Sequence, residues 1–113
     1  MTKFYPIGTV VTLLGGTIPI MIYGRLQFRA DSEDIFDYVA CLYPEGNIGD
    51  EYNVFFNHGD IETVHFVGYE TPEEEKMLIL INNFLEEQAS ARNEIEPKAL
   101  HVIYNKDKKE PLN

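Results

Sequence analysis

The first two thirds of the chain alternate between short apolar runs and turn-forming residues. The runs are rich in β-branched and aromatic side chains, and Gly, Pro and Asn separate them, which is the pattern of short β-strands joined by turns. Gly24 interrupts one run, and a β-bulge there would let the strand continue. The predicted strands are residues 9–14, 18–23 continuing past the bulge to 25–28, 36–43, 52–57 and 64–69. Before the last strand, Asp60 is expected to cap one helical turn over residues 61–63.

The hydrophobic period changes at Thr71. Thr71 can serve as an N-cap, Pro72 suits the first helical position, and Glu74 would complete a capping box. Apolar side chains then recur at helical spacing, and this pattern predicts a helix from residue 72 to about Arg92. The predicted apolar face consists of Met77, Ile81, Phe84 and Leu85, widened by Leu78 and Ile79.

These elements predict an α+β fold. The expected architecture is a five- or six-stranded, antiparallel, barrel-like sheet followed by one long C-terminal helix packed on it. Residues 99–104 supply the optional sixth strand. A length of 113 residues fits a single domain. We assign that domain to residues 1–105 and predict a charged, flexible tail at 106–113.

The charge of the chain is concentrated in its middle. Residues 31–75 contain 13 Asp and Glu and no Lys or Arg, and the three basic residues of positions 1–30 reduce this charge of −13 to the net −10 of the chain. Phosphate backbones and anionic lipid surfaces are normally bound by clusters of Lys and Arg. The composition therefore argues against nucleic acid and membrane partners and favours a positively charged protein partner.

The compartment follows from cysteine content and the N-terminal sequence. Cys41 is the only cysteine, so an intramolecular disulfide is excluded, as is typical of a reducing compartment. The first apolar run is too short and too interrupted for a secretion signal. We expect a cytoplasmic protein.

The sequence contains no recognisable catalytic set. Cys41 lies within a predicted strand, where a small buried hydrophobic residue is the expected role. His58 and Asp60 share a loop with Asn57 and are candidates for a base or metal ligands, but their spacing matches neither an EF-hand nor a helical histidine pair. Turn and capping roles account for them. We predict a non-enzymatic protein with no catalytic residues, no cofactor and no bound metal.

The candidate site residues are therefore those of a protein contact surface. Tyr38, Phe55 and Phe66 alternate within strands and are predicted to be core, whereas Tyr43 and Tyr52 adjoin turns and acids and are better placed to contact a partner. Arg25 lies in an acid-poor region, and we expect it to pair internally with an acid of the central block. The full predicted partner-binding set is Tyr43, Glu45, Asp50, Glu51, Tyr52, Glu73, Glu74, Leu78 and Leu85.

An ordered series of short motifs resembles a known family. The motifs are Ile7-Gly8-Thr9-Val10-Val11, Met21-Ile22-Tyr23-Gly24-Arg25-Leu26-Gln27, Tyr43-Pro44-Glu45-Gly46, Phe55-Phe56-Asn57 with Asp60-Ile61, and Gly68-Tyr69. Over residues 5–85 the chain resembles the domain-of-unknown-function family 4176, small proteins of Gram-positive bacteria encoded beside LXG toxins of the type VIIb secretion system. The resemblance implies a cytoplasmic chaperone or targeting factor for such a toxin, and it carries over no catalytic residues.

Three functions remain open at the level of sequence. The first is a chaperone or adaptor for a secreted toxin, which the motifs and the acidity favour. The second is an immunity protein that covers the active site of a toxin, since the same acidity suits a nuclease. The third is a small hydrolase or metal-dependent enzyme that uses His58, Asp60 and neighbouring acids.

Overall fold

The computed structural model describes residues 3–29 and 33–91. In these residues the chain forms five strands and one α-helix, with two 3-10 turns on either side of the fourth strand. The elements in order are β1 (Val10–Leu13), β2 (Ile20–Phe28), β3 (Ile35–Leu42), a 3-10 turn (Asp50–Tyr52), β4 (Val54–Phe56), a 3-10 turn (His58–Asp60), β5 (Ile61–Phe66) and α1 (Pro72–Ala91). The α+β class is confirmed. The predicted strand at 99–104, the tail at 106–113 and the helix end at Arg92 lie outside the described residues.

The sheet is antiparallel and open. Its strand order is β4-β3-β2-β1-β5, so β4 and β5 form the two edges in the part of the chain that the structure describes. The expectation of a barrel-like sheet is wrong, because closure requires the edge strands to pair with each other. Here β4 pairs with β3 over three residues, and β5 pairs with β1.

The bulge predicted at Gly24 is present. Ile22 lies opposite Ala40 and Gly24 lies opposite Val39, so β2 carries an extra residue between them. A Cβ atom at position 24 would lie 2.8 Å from Cγ1 of Val39. Glycine therefore permits both the bulge and the close approach of β2 to β3.

The core is centred on β3 and includes residues from outside the predicted strands. Tyr38, Val39, Ala40 and Cys41 are all buried, so both faces of β3 are covered, and the buried role predicted for Cys41 is confirmed. The ring of Phe4 packs against that of Tyr38 with centroids 5.3 Å apart. By contrast, Phe66 is 63% exposed, and its prediction as a core residue is wrong because β5 is an edge strand.

The segment before β1 is joined both to β2 and to the residues after β5. The amide of Gly8 donates to the Ile22 carbonyl and the amide of Ile22 donates to the Thr9 carbonyl, which extends the pairing beside β2. The hydroxyl of Thr9 accepts a hydrogen bond from the amide of Gly68 at 3.0 Å. A Cβ atom on Gly68 would overlap the carbonyl oxygen of Ile7. Residues after β5 thus lie directly against residues before β1.

The helical turn near Asp60 is shifted from its predicted place. It covers His58–Asp60, and β5 begins at Ile61. The carboxylate of Asp60 accepts a hydrogen bond from the amide of Asn57, and the amide of Asp60 donates to the Asn57 carbonyl, both at 2.9 Å. Asp60 therefore closes a turn that starts at Asn57, and it does not start one.

The helix begins at Pro72, as the sequence predicts, and the hydroxyl of Thr71 accepts a hydrogen bond from the amide of Glu74. The chain divides after Leu78 into two compact units. The first holds the sheet and the start of α1 up to the buried Leu78. In the second unit Ile81 and Phe84 are buried, whereas Ile79 is exposed and does not widen the buried face. No helix within residues 3–29 and 33–91 combines the length and apolarity needed to cross a membrane.

Candidate functional site

The loop between β3 and β4 is built from two successive turns. The first follows β3, where the amide of Gly46 donates to the Leu42 carbonyl at 2.7 Å, and Gly46 adopts a φ of +85° that favours glycine. The second is the 3-10 turn, in which the amide of Tyr52 donates to the Gly49 carbonyl at 3.0 Å. The backbone of the loop is therefore internally hydrogen-bonded.

Two hydrogen bonds hold this loop against β2 and the residues before it. The amide of Tyr43 donates to the Pro19 carbonyl at 3.1 Å, and the side-chain amide of Asn53 donates to the hydroxyl of Tyr23 at 2.7 Å. Burial raises the pKa of the Tyr23 hydroxyl, and the nearby Cys41 and Asp50 add to the effect. Tyr23 therefore stays protonated at neutral pH and remains a hydrogen-bonding group beside the loop.

Five of the predicted contact residues lie exposed within this loop. Tyr43 and Tyr52 are each 48% exposed, and the three acids between them are exposed as well. Ile48 is also exposed within the loop, and the predicted contact set lacks it because a single apolar residue between turns carries no periodic signal. We define the loop surface as the side chains of Tyr43, Glu45, Ile48, Asp50, Glu51 and Tyr52.

The candidates on the helix have different surroundings. Glu73 is exposed, whereas Leu78 is buried and Leu85, in the second unit, is partly buried. Both carboxylate oxygens of Glu74 bind Arg25, at 2.6 and 3.0 Å. Glu74 and Leu78 are therefore engaged inside the protein and do not belong to an exposed contact surface. The internal partner predicted for Arg25 among the central acids is confirmed, and the carboxylate that the sequence assigns to a capping box is used for this pair.

The pair of Arg25 and Glu74 continues into a partly buried chain of hydrogen bonds. Arg25 also donates to the carbonyl of Tyr5 at 3.2 Å, and the amide of Tyr5 donates to the hydroxyl of Tyr38 at 3.0 Å. The Tyr38 hydroxyl lies 2.8 Å from Nδ1 of His58. Burial raises the pKa of Tyr38 far above its ordinary value. The phenol therefore stays protonated at neutral pH, so that its hydroxyl accepts from the Tyr5 amide and also shares a hydrogen bond with the ring of His58.

His58 is also fixed through its backbone and its ring. Its amide donates to the carboxylate of Asp37 at 2.8 Å, and its ring stacks on that of Tyr5 with centroids 5.2 Å apart. Asp60 closes the turn that contains His58. In the described part of the chain, no group of three His, Cys, Asp or Glu side chains is placed to hold a metal ion. The contacts of His58 and Asp60 are those of residues that organise a turn and anchor the N-terminal segment.

Comparison with known proteins gives one result. Residues 4–77 match the family model described as a domain of unknown function, DUF4176. No curated protein and no solved structure matches the chain. The match covers the whole sheet, the loop surface and the start of the helix. It spans more than half of the sequence, and the chain belongs to the DUF4176 family.

Proposed function

We propose that the protein is a non-enzymatic binding protein that holds a basic protein partner on its loop surface. The observation that carries the proposal is the exposure of two tyrosines and an isoleucine among three acids in one hydrogen-bonded loop. Residues 43–53 include no Lys or Arg to neutralise those acids. The surface therefore combines large apolar contact groups with a uniform negative charge.

This combination suits recognition of a positively charged protein. Tyrosine supplies a large, rigid contact area at a small cost in side-chain entropy, and it is enriched among residues that dominate binding energies. Carboxylates around such anchors accelerate association with a basic partner and disfavour acidic ones. The loop is already ordered by its own hydrogen bonds, which reduces the entropy lost on binding.

The proposed partner is an LXG toxin of the type VIIb secretion system, and the proposed role is that of a cytoplasmic chaperone or targeting factor. The identity of the partner is supported by the resemblance of the motifs to proteins encoded beside such toxins. The charge supports it independently, because an acidic protein can cover a basic region of a toxin before export. An immunity protein is the alternative function, favoured by the same acidity if the toxin is a nuclease.

The experiment is co-expression of the protein with the proposed LXG toxin partner, followed by co-purification and measurement of the dissociation constant. We expect a stable complex that Tyr52→Ala weakens by at least about tenfold, because truncation of a tyrosine at the centre of an interface commonly costs about 2 kcal/mol or more, and about 1.4 kcal/mol already corresponds to a factor of ten. Leu80→Ala, at an exposed apolar position on α1, serves as the matched control and should bind normally. Absence of a complex, together with normal toxin export after deletion of the gene, would refute the proposal.

Protection assays separate the two roles. A chaperone that binds the export region should give cells no protection against the isolated catalytic domain of the toxin, whereas an immunity protein should protect them. The charge contribution is tested by Glu51→Lys, with Glu75→Lys as a control, since both acids are exposed. We expect Glu51→Lys alone to slow association, and the difference should shrink as salt is raised.

A further inference from the structure

The two edges of the sheet differ in how they are protected. β4 is a three-residue strand with a 3-10 turn on each side, so it offers little backbone to a further strand. β5 has six residues and, within the described chain, pairs on one side only, with β1. Natural proteins usually blunt an exposed edge by shortening it or by placing Lys or Pro on it. The edge at β4 is short, but β5 has normal length and contains no Lys, Arg or Pro.

The backbone of β5 is also incompletely matched by β1. The register shifts between Val10 and Val11 and again between Thr12 and Leu13. Each shift leaves an additional β5 residue, His65 and Glu62 respectively, outside the register with β1, although Nε2 of His65 lies 2.7 Å from the hydroxyl of Thr12. Backbone groups of an edge strand that do not face the neighbouring strand require water or another strand as their partner.

Exposed apolar side chains cluster at both ends of this edge. Phe66, Val67 and Tyr69 are exposed at the end of β5 and just beyond it, and Tyr69 is 86% exposed. Ile7 is exposed as well. It lies near these residues, since its carbonyl is against Gly68. Leu14 is exposed at the other end, where its amide donates to the Asp60 carbonyl at 2.9 Å. Such a cluster along an available strand edge is typical of a surface that binds an extended segment.

The charges around the edge of β5 favour a basic segment as its binding partner. Asp60 precedes β5, Glu62 lies within it and Glu70 follows it, and all three are exposed. Lys3 approaches Glu70 at 3.8 Å, but both side chains remain largely in water, so this pair neutralises little. A second copy of the chain would bring the same acids and a further net charge of −10 to the interface. A basic segment is electrostatically favoured over a second copy.

We propose that the edge of β5 that has no strand beside it within residues 3–29 and 33–91 receives an extended, basic and apolar segment of the partner protein as an additional strand. The backbone of the segment pairs with β5, its apolar side chains pack on Phe66 and Tyr69, and its basic side chains lie near Asp60 and Glu62. Main-chain hydrogen bonds supply affinity in this mode and the side chains supply selectivity. The inference rests on the proposed function for the basic protein partner, but it assigns a separate surface and a defined conformation to the bound segment.

Hydrogen exchange on the unmodified protein tests this directly, with the co-expressed LXG toxin as the probe. In the complex we expect amide exchange in residues 61–66 to slow by at least about tenfold, whereas residues 54–56 of β4 should be unchanged. Phe66→Lys places on the edge the residue that natural proteins use to block strand addition. It should weaken binding at least about tenfold, whereas Leu80→Lys, at another exposed apolar position, should not.

The outcomes distinguish this proposal from the proposed function. A complex with unchanged exchange in β5 would refute strand addition and leave the proposed function standing. Absence of any complex would refute both. Sedimentation of the isolated chain as a dimer with β5 already protected would show that a second copy occupies the edge, which also overturns the proposal. Because hydrogen exchange needs no substitution, the test remains decisive even if Phe66→Lys fails to fold.

Discussion

Replacing Glu74 with Gln should destabilise the protein by about 3 kcal/mol. Arg25 and Glu74 have side chains that are only 9% and 11% exposed, and they are joined by two hydrogen bonds of 2.6 and 3.0 Å. Removing one partner of a buried ion pair costs about 3–5 kcal/mol, because the remaining charge is left buried without compensation. Gln has nearly the same size and helix propensity as Glu and can still accept one hydrogen bond, so the loss should lie near the lower limit.

A loss of this size is large compared with the total stability of about 5–15 kcal/mol that is usual for a domain. It is measurable by urea unfolding followed by far-UV circular dichroism, which suits a chain without tryptophan. The slope of the unfolding free energy against urea should stay constant, and only the midpoint should fall.

Glu73→Gln is the matched control for this measurement. Glu73 lies in the same first turn of α1 but is exposed. It should lose only the interaction of a carboxylate with the helix dipole, about 0.3–1 kcal/mol. Equal losses for the two variants, both below about 1 kcal/mol, would show that the pair of Arg25 and Glu74 behaves as a solvated surface pair and would refute the reasoning.

Three further predictions concern the packing and the buried phenol. Gly68→Ala should destabilise the protein by at least about 2 kcal/mol in the same urea assay, because its Cβ atom overlaps the carbonyl of Ile7, whereas Gly59→Ala, which meets nothing within 4 Å, should have little effect. Tyr38→Phe should cost about 1–3 kcal/mol at neutral pH, because it removes the hydrogen-bond partner of His58 and of a backbone amide. The advantage of the wild type over Tyr38→Phe should shrink above pH about 10, by up to about 1.4 kcal/mol per pH unit, since burial raises the pKa of the folded phenol while the unfolded chain releases its proton. A difference that stays constant between pH 8 and 11 would contradict this last prediction.

Much of the sheet can be predicted from local sequence, whereas the order of its strands and the identity of its edge strands cannot. The bulge at Gly24 is predictable because a glycine inside an apolar strand run commonly marks a bulge. The helix start at Thr71 and Pro72 is equally local. The pairing of β1 with β5 joins residues such as Val10 and Phe66 that are more than 50 positions apart. The hydrophobic periodicity of the sequence does not indicate which distant strands pair. Neither the open sheet nor the exposure of Phe66 could therefore be predicted.

In the candidate site, too, features set by local sequence could be predicted, and features set by contacts between distant residues could not. The sequence places Tyr43 and Tyr52 at the surface because they adjoin turns, and both are exposed, although Tyr52 lies in a 3-10 turn where the sequence predicts the start of a strand. The charge pattern indicates that Arg25 pairs with a central acid, but several acids are available and only the fold selects Glu74. The segment from Phe4 to Thr9 has no regular period. Its role in anchoring β2, β3 and the residues after β5 becomes visible only when distant parts of the chain are brought together.

The position of β1 between β2 and β5 also affects how the chain folds during synthesis. β2, β3 and β4 follow one another along the chain and pair in sequence order, so they can form while translation continues. β1 is made first, yet its second neighbour is made after 47 intervening residues, between Leu13 and Ile61. Closing so long a loop is slow compared with forming a hairpin. Until β5 leaves the ribosome, one side of β1 has no partner, and this interval is when a nascent chain is most exposed to incorrect strand pairing.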